Sequence, residues 1–373
     1  MNTAVYSKDA AVPTRTGTTN NHYDLVVFCH LRWDFVYQRP QHIISRLAKK
    51  IKILLIEEPW HRPGQTGSLL IPVSQNLHVL QPNVHQIAEI VAILPEYTGM
   101  EVPIGWFYSA SFLTLLDYFK FETVVYDCMD ELSLFKGAPE SLVVQERNLM
   151  LRADIVFTGG KSLYESKVKH HDNVYCFPSS VDREHFAGAL NGIAVPDDIA
   201  SVRGPIVGYF GVIDERIDLG LLNEVASIRP EINFVMIGPL AKIGEHDLPR
   251  QQNIHYLGMK NYQELPGYIK AFDIAMMPFA LNDATKYISP TKTLEYMAAG
   301  KPIISTAIHD VVRDYSGDVA IVASAGEFSR AIDTALAQDA KSALPSAYND
   351  ILEKTSWDHT VKKMQEIIKN TVQ

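Results

Sequence analysis

Lys292 stands where the start of a helix ordinarily carries an acid. In the stretch Tyr287–Ser305, YISPTKTLEYMAAGKPIIS, Ser289 can act as N-cap and Pro290 suits the first helical position. Leu294, Met297 and Ala298 recur at helical spacing, and Gly300 supplies a stop. The spacing predicts a short helix over 290–299. Its third position completes a capping box when it is Glu or Gln, but here Lys292 puts a cation at the positive end of the helix dipole. Free backbone N–H groups with an added ammonium make a seat for a phosphate; the plainer alternative is a first-turn lysine in water. Glu295, three residues on, shares the face of Lys292.

Other residues with chemical potential stand near strand ends. Gly208 and Gly211 close an apolar run, where glycine lets backbone approach a ligand or simply makes a tight turn. Arg216 follows and could reach a diphosphate as a forked donor, or remain a solvated arginine. Lys242 ends the next strand in the same way. Asp127, Asp130 and Glu131 follow another apolar strand, which suits either acid/base and acceptor-binding work or loop solvation. His30, Arg32, Trp33, Asp34, Arg39 and His42 crowd the first strand-to-helix connection, a polar and aromatic mixture that suits a sugar. Gly159-Gly-Lys-Ser162 is not a phosphate loop, because Ile155 holds the position where that motif needs glycine; Ser162 reads as a helix N-cap. His170 and His171 are adjacent and so not on one helical face. No metal site is expected.

These residues need a frame, and the hydrophobic pattern supplies it. Buried strands read at 24–29, 51–56, 77–80, 123–127 and 154–158, with helical segments such as 38–50 between them. A Gly, Ala, Pro and Asp-rich lapse follows, and then strands at 205–210, 232–237, 254–256, 273–277, 302–305 and 319–322 alternate with helices near 219–227, 262–271 and 327–338. Such alternation implies α/β architecture with two parallel sheets, each covered on both faces. The expected organisation is a loose segment over 1–22, a first domain over 23–186, a linker over 187–204, a second domain over 205–345 and a C-terminal helix over 346–373. Trp60–Val73, with two prolines and two glycines, reads as a long loop of the kind that is often functional.

Composition narrows the partners. The chain of 373 residues is 47% hydrophobic and carries a formal net charge of -9, which argues against broad nucleic-acid binding. No apolar run is long enough to span a bilayer and the polar first residues carry no hydrophobic leader core, so a cytoplasmic protein is expected. Cys29, Cys128 and Cys176 read as reduced core residues.

GYFGVID, FVMIGP, HYLG and SPTKTLEYMAAGKPIIS, in that order, resemble the GT-B glycosyltransferases of group 1, family 4-like, of bacterial polysaccharide type. HLRWDFVYQRPQHI and VYDCMDE in the first half are similar to the same class. The resemblance implies two Rossmann-like domains facing across a cleft, a nucleoside diphosphate sugar donor, UDP-linked, on the second, and a glycan or lipid-linked glycan acceptor on the first. It implies no separate cofactor, retention of anomeric configuration and peripheral association with the inner face of the membrane. Gly211, Arg216, Lys242, Pro290, Thr291 and Lys292 would then hold the diphosphate, with Lys292, Arg216 and Asp130 as catalytic groups. Glu295 would bind ribose, Tyr256 and Leu257 the base, and His30, Trp33, Arg39 and His42 the acceptor. Two departures accompany the match: Tyr287 stands where the family's E-x7-E element has its first glutamate, and Val212 where a basic residue is usual. A nucleotide-sugar epimerase of the same fold and a non-catalytic sugar-nucleotide-binding protein are the alternative readings.

Overall fold

The computed structural model describes residues 22–99, 101–337 and 348–371. Two sheets form, and their central strands are buried because helices cover both faces. The first contains β1 (Leu25–Cys29), β2 (Ile53–Glu57), β3 (Leu69–Ser74), β4 (Leu77–Gln81), β5 (Glu101–Phe107), β6 (Lys120–Cys128), β7 (Ile155–Thr158) and β8 (Val174–Cys176), in spatial order β3-β4-β2-β1-β5-β6-β7-β8. The second contains β9 (Ile206–Phe210), β10 (Asn233–Ile237), β11 (Ile254–Gly258), β12 (Ile274–Met277), β13 (Ile303–Thr306) and β14 (Ala320–Val322), in order β11-β10-β9-β12-β13-β14. All pairings are parallel except that of β3 with β4.

Three strands escape the hydrophobic pattern. β5 contains Pro103 and Gly105, which weaken a strand reading. The glycine is required by packing, since a Cβ there would stand 2.8 Å from the Phe121 ring. β8 is only three residues long. β3 takes the end of the expected 60–73 loop and pairs antiparallel at the sheet edge, its side chains largely exposed.

The 187–204 stretch is not featureless: short helical turns cover Gly188–Leu190 and Asp197–Ala200. The end of the chain forms two helices, Asn349–Leu352 and Trp357–Thr371. The second returns to the first domain, where its Trp357, Val361, Met364 and Ile368 join the core beneath β1, β2 and β7. Its amphipathic spacing could show that one face is buried, but not against which domain.

Candidate active site in the interdomain cleft

The predicted helix spans Thr291–Ala298, one residue later than expected at its start. Pro290 is the N-cap and has no side chain to cap with, so Ser289 does not cap and Lys292 is the second helical residue. The amides of Thr291 and Lys292 therefore have no carbonyl acceptor within the helix. The C-terminus closes as a Schellman motif: Lys301 N–H donates to Tyr296 at 3.0 Å, Gly300 N–H to Met297 at 2.9 Å, and Gly300 takes φ +64°.

That N-terminus opens into the cleft between the domains. A cavity there is bordered by Ser289, Pro290, Thr291, Lys292 and Glu295 together with Gly211, Arg216, Arg39, His42 and Asp130. A second shares Gly211, Lys292 and Glu295 and continues past Trp33, Gly238 and Met259–Tyr262. The segments that follow β1, β6, β7, β9, β10, β11 and β12 line these cavities, at the carboxyl edges where open α/β sheets bind ligands.

Glycine makes the second domain's wall. Gly211 has φ +146°, and a Cβ on it would stand 2.6 Å from the Tyr209 hydroxyl. Gly238 has φ +150°, and a Cβ there would meet the Gly211 carbonyl at 1.8 Å. The two strand-end turns are thus nested, and neither tolerates a side chain. Gly208, by contrast, serves packing: a Cβ would enter the Phe272 ring, so only Gly211 of that pair belongs to the cavity.

The cations are held in place by acids. Lys292 Nζ lies 2.8 Å from Glu295 Oε2 and 4.6 Å from the Phe210 ring centroid. Arg216 is gripped by Asp214, with Nη2 at 2.7 Å and Nε at 3.0 Å, and its Cζ lies 5.3 Å from the Phe135 ring of the first domain. Burial pushes the Asp130 carboxyl up to about 6, against the opposing pull of Arg216 and Arg39. A proton can therefore be exchanged there near neutral pH.

Several expected residues stand elsewhere. Lys242 does not border the cavity; in a left-handed conformation, φ +60°, it reaches Glu215 at 3.4 Å and the Phe135 ring at 4.6 Å. Tyr256 and Leu257 lie on β11 outside both cavities, Tyr256 donating to the Pro249 carbonyl; Met259–Tyr262, just beyond, form that wall instead. Tyr287 packs against the first domain's core and borders a different cavity. Ser162 is the second residue of its helix, not the N-cap; its amide and hydroxyl bond Asp310 of the second domain.

The three acids after β6 diverge. Asp127 is fully buried and takes Arg39, whose Nε and Nη2 lie 3.1 and 2.9 Å away while Nη1 donates to the Phe177 carbonyl at 2.7 Å. Glu131 turns away to Lys167, which also holds Glu146. Only Asp130 faces the cavity.

The cluster after β1 divides similarly. His42 borders the cavity, stacked 4.7 Å from Trp357 and edge-on to Tyr37 and Tyr262. Burial, then Arg46 and Lys292, hold its pKa well below the usual histidine range, so it is neutral at physiological pH. Arg46 donates to its Nδ1 at 3.4 Å, which leaves the proton on Nε2. His30 lies outside both cavities and burial pushes it down to about 4. Trp33 borders the second cavity. Among the described residues no group of three or more His, Cys, Asp or Glu could hold a metal ion.

Residues that give no signal in sequence also line the cavity, among them Met129, Ser179, Tyr209 and Ile288. Their positions become apparent only once the sheets face each other.

Solved structures share this two-domain architecture. The chain matches sucrose-phosphate synthase from Thermosynechococcus elongatus with a TM-score of 0.71 over 93% of this chain and 98% of that one, at 13% identity. It matches HepE of Anabaena in complex with UDP and glucose with a TM-score of 0.65 over 93% and 100%, at 15% identity. The fold is GT-B. Residues 204–338 match the family model described as Glycosyl transferases group 1. A Bacillus subtilis protein named as a teichuronic acid biosynthesis glycosyltransferase, TuaH, is 26% identical over 218 residues, 54% of each chain, so the match spans about half of that relative. The chain therefore has the GT-B fold, and about a third of it, within the second domain, is similar to the group 1 glycosyltransferases.

Proposed function

We infer that the protein transfers a sugar from a UDP-linked donor to a glycan or lipid-linked glycan acceptor, with retention of configuration. The observation that carries this reading is the helix N-terminus with Lys292, opening into the cleft between the two domains. When the anomeric bond breaks, the diphosphate takes the electron pair and its charge must be stabilised. The amides of Thr291 and Lys292, the side chain of Lys292 and the guanidinium of Arg216 stand ready to do so, preorganised by Glu295 and Asp214. Gly211 and Gly238 allow the phosphates to approach backbone. The nucleoside lies along Met259–Tyr262, with Glu295 on the ribose.

Asp130 and neutral His42, on the opposite wall, orient the transferred sugar and the acceptor hydroxyl, and Asp130 can take the acceptor's proton. The complex of HepE with UDP and glucose supports the choice of UDP, and TuaH, named for teichuronic acid biosynthesis, supports a glycan acceptor. No helix among the described residues is long and apolar enough to cross a membrane. Exposed Val143, Val144 and Leu151 on the Ser141–Arg152 helix favour peripheral contact with a lipid surface.

Incubation with a panel of radiolabelled nucleotide sugars and glycan acceptors tests this. Transfer of label to glycan, with UDP-sugars preferred, is expected. Interconversion of the free donor would make the protein an epimerase, and binding without turnover a non-catalytic receptor, as Tyr287 and Val212 would then explain.

A further inference from the structure

Gly159-Gly-Lys-Ser162 is not a phosphate loop, and the second domain packs directly on it. The turn leads into the helix Lys161–Lys167, whose N-cap, Gly160, has no side chain to offer. The missing cap comes from the other domain. Asp310, in the first turn of the helix His309–Tyr315, accepts the Ser162 backbone N–H on Oδ1 at 3.2 Å and on Oδ2 at 3.3 Å, and Oδ1 also accepts the Ser162 hydroxyl. Asp310 is 2% exposed, and on its own helix His309 Nδ1 lies 3.6 Å and Arg313 Nη2 4.0 Å away, beyond hydrogen-bond reach. Among the described residues, the hydrogen bonds to this buried carboxylate come from the first domain.

The glycines show how close the joint is. Gly160 has φ -166° and ψ 165°, extended backbone that any residue adopts. A Cβ there would nevertheless stand 2.8 Å from Asp310 Oδ2 and 3.0 Å from the Ser289 Cβ, both in the second domain. Approach of that domain, and not backbone conformation, calls for glycine. Gly159 faces the other way: its N–H donates to the Cys128 carbonyl at 2.9 Å, and a Cβ would collide with the Met129 carbonyl. Met129 precedes Asp130. At the far end of the same helix, Lys167 Nζ lies 2.6 Å from Glu131, which follows Asp130. The helix is thus tied at both ends to the segment that aims Asp130 into the cavity, and by its first turn to the second domain. Arg313 pairs with Glu165 at 3.0 Å, and the Ser179 hydroxyl donates at 2.7 Å to the carbonyl of Ser289, two residues before the helix that carries Lys292.

We propose that Asp310 is a positioning residue for transfer: by capping the Lys161–Lys167 helix from the second domain, it holds Asp130 in register with the donor site. This rests on the transferase reading. The helix that seats the donor phosphates belongs to the second domain and Asp130 to the first, so transfer requires a fixed relation between the two. Without the Asp310 carboxylate, the Ser162 amide and hydroxyl turn to water and the helix loses its hold on the second domain. Loss of hydrogen bonds to a charged group shifts such an equilibrium by about tenfold or more.

Asp310→Ala, Asp310→Asn and Gly160→Ala in the whole protein test the assignment by hydrogen exchange, UDP titration and steady-state kinetics with the donor and acceptor pair that the labelled panel identifies. Asp310→Ala is expected to raise amide exchange over 128–131 and 161–167, in the other domain, about tenfold or more, and to lower kcat by a similar factor. UDP affinity and donor KM stay at the wild-type values, which also shows that the second domain is folded. Asn caps as well as Asp, so Asp310→Asn keeps exchange and kcat within about threefold of the wild type. Gly160→Ala, whose methyl group wedges the joint without straining the first domain's backbone, should lower kcat as Asp310→Ala does. Exchange and kcat unchanged in Asp310→Ala, a loss that Asn fails to rescue, or a fall in UDP affinity to match that in kcat overturns the positioning role. Absence of transfer by the wild type would instead overturn the transferase reading, and the exchange of 128–131 and 161–167 in Asp310→Ala then decides the joint alone.

Discussion

The carboxyl edges of the two sheets face the same cleft but are built differently. The second domain presents backbone: two glycines that admit no Cβ, a helix N-terminus without a side-chain cap, and cations held by adjacent acids on the same element or loop. The first domain presents side chains, and most of their charge is spent inside the protein, Arg39 on Asp127, Arg32 on Glu57, and Glu131 on Lys167. A surface built from backbone can serve any member of a class of nucleoside diphosphates. One built from side chains can change its partner by changing a few residues. A shared donor site facing a variable acceptor site is what this division predicts.

The largest expected effect tests whether the Arg39 and Asp127 pair is architecture. Arg39→Ala leaves a carboxylate with no exposed surface and the Phe177 carbonyl without its donor. Stability should fall by about 3–5 kcal/mol, measured by urea unfolding. A loss confined to acceptor binding, with stability retained, would return Arg39 to the acceptor site.

A smaller effect sharpens the contrast at Asp130, the one acid after β6 that faces the cavity. Its folded pKa of about 6 lies above the ordinary 3.8 because burial penalises the charged form. Its contribution is therefore fully favourable below the unfolded value and is lost as the pH rises through about 6. Asp130→Asn should match the wild type in stability near pH 3 and exceed it by about 1–3 kcal/mol at pH 8, while transfer activity falls. Equal pH dependence of the two proteins would show Asp130 to be solvated.

The two edges also differed in how far the sequence revealed them. The second domain's signals each have a local mechanism: a positive φ for Gly300 and Gly211, a proline at a helix start, a lysine and glutamate three residues apart. They were legible even though the cap fell one residue later than expected. The first domain's cluster was legible as a group but not in its pairings, because each side chain's partner lies far along the chain. Arg39 is bound by residues at 127 and 177, and His42 stacks on Trp357. Spacing cannot show such contacts. β5 was hidden by Pro103 and Gly105, and Tyr256 with Leu257 lie outside both cavities because β11 runs to Gly258 before the chain turns into the cleft.

Lys292 carries the central claim, and the structure sets how it should be tested. Its removal alone would leave Glu295, which is 4% exposed, without its partner, so Lys292→Ala is best paired with Lys292→Ala, Glu295→Gln. Isothermal titration of UDP against the wild type and both variants is the direct measurement. Loss of a charge-assisted contact to phosphate should weaken binding about 10–100-fold in both variants, with the double variant restoring stability but not affinity. UDP affinity equal to that of the wild type in the folded double variant would contradict the account.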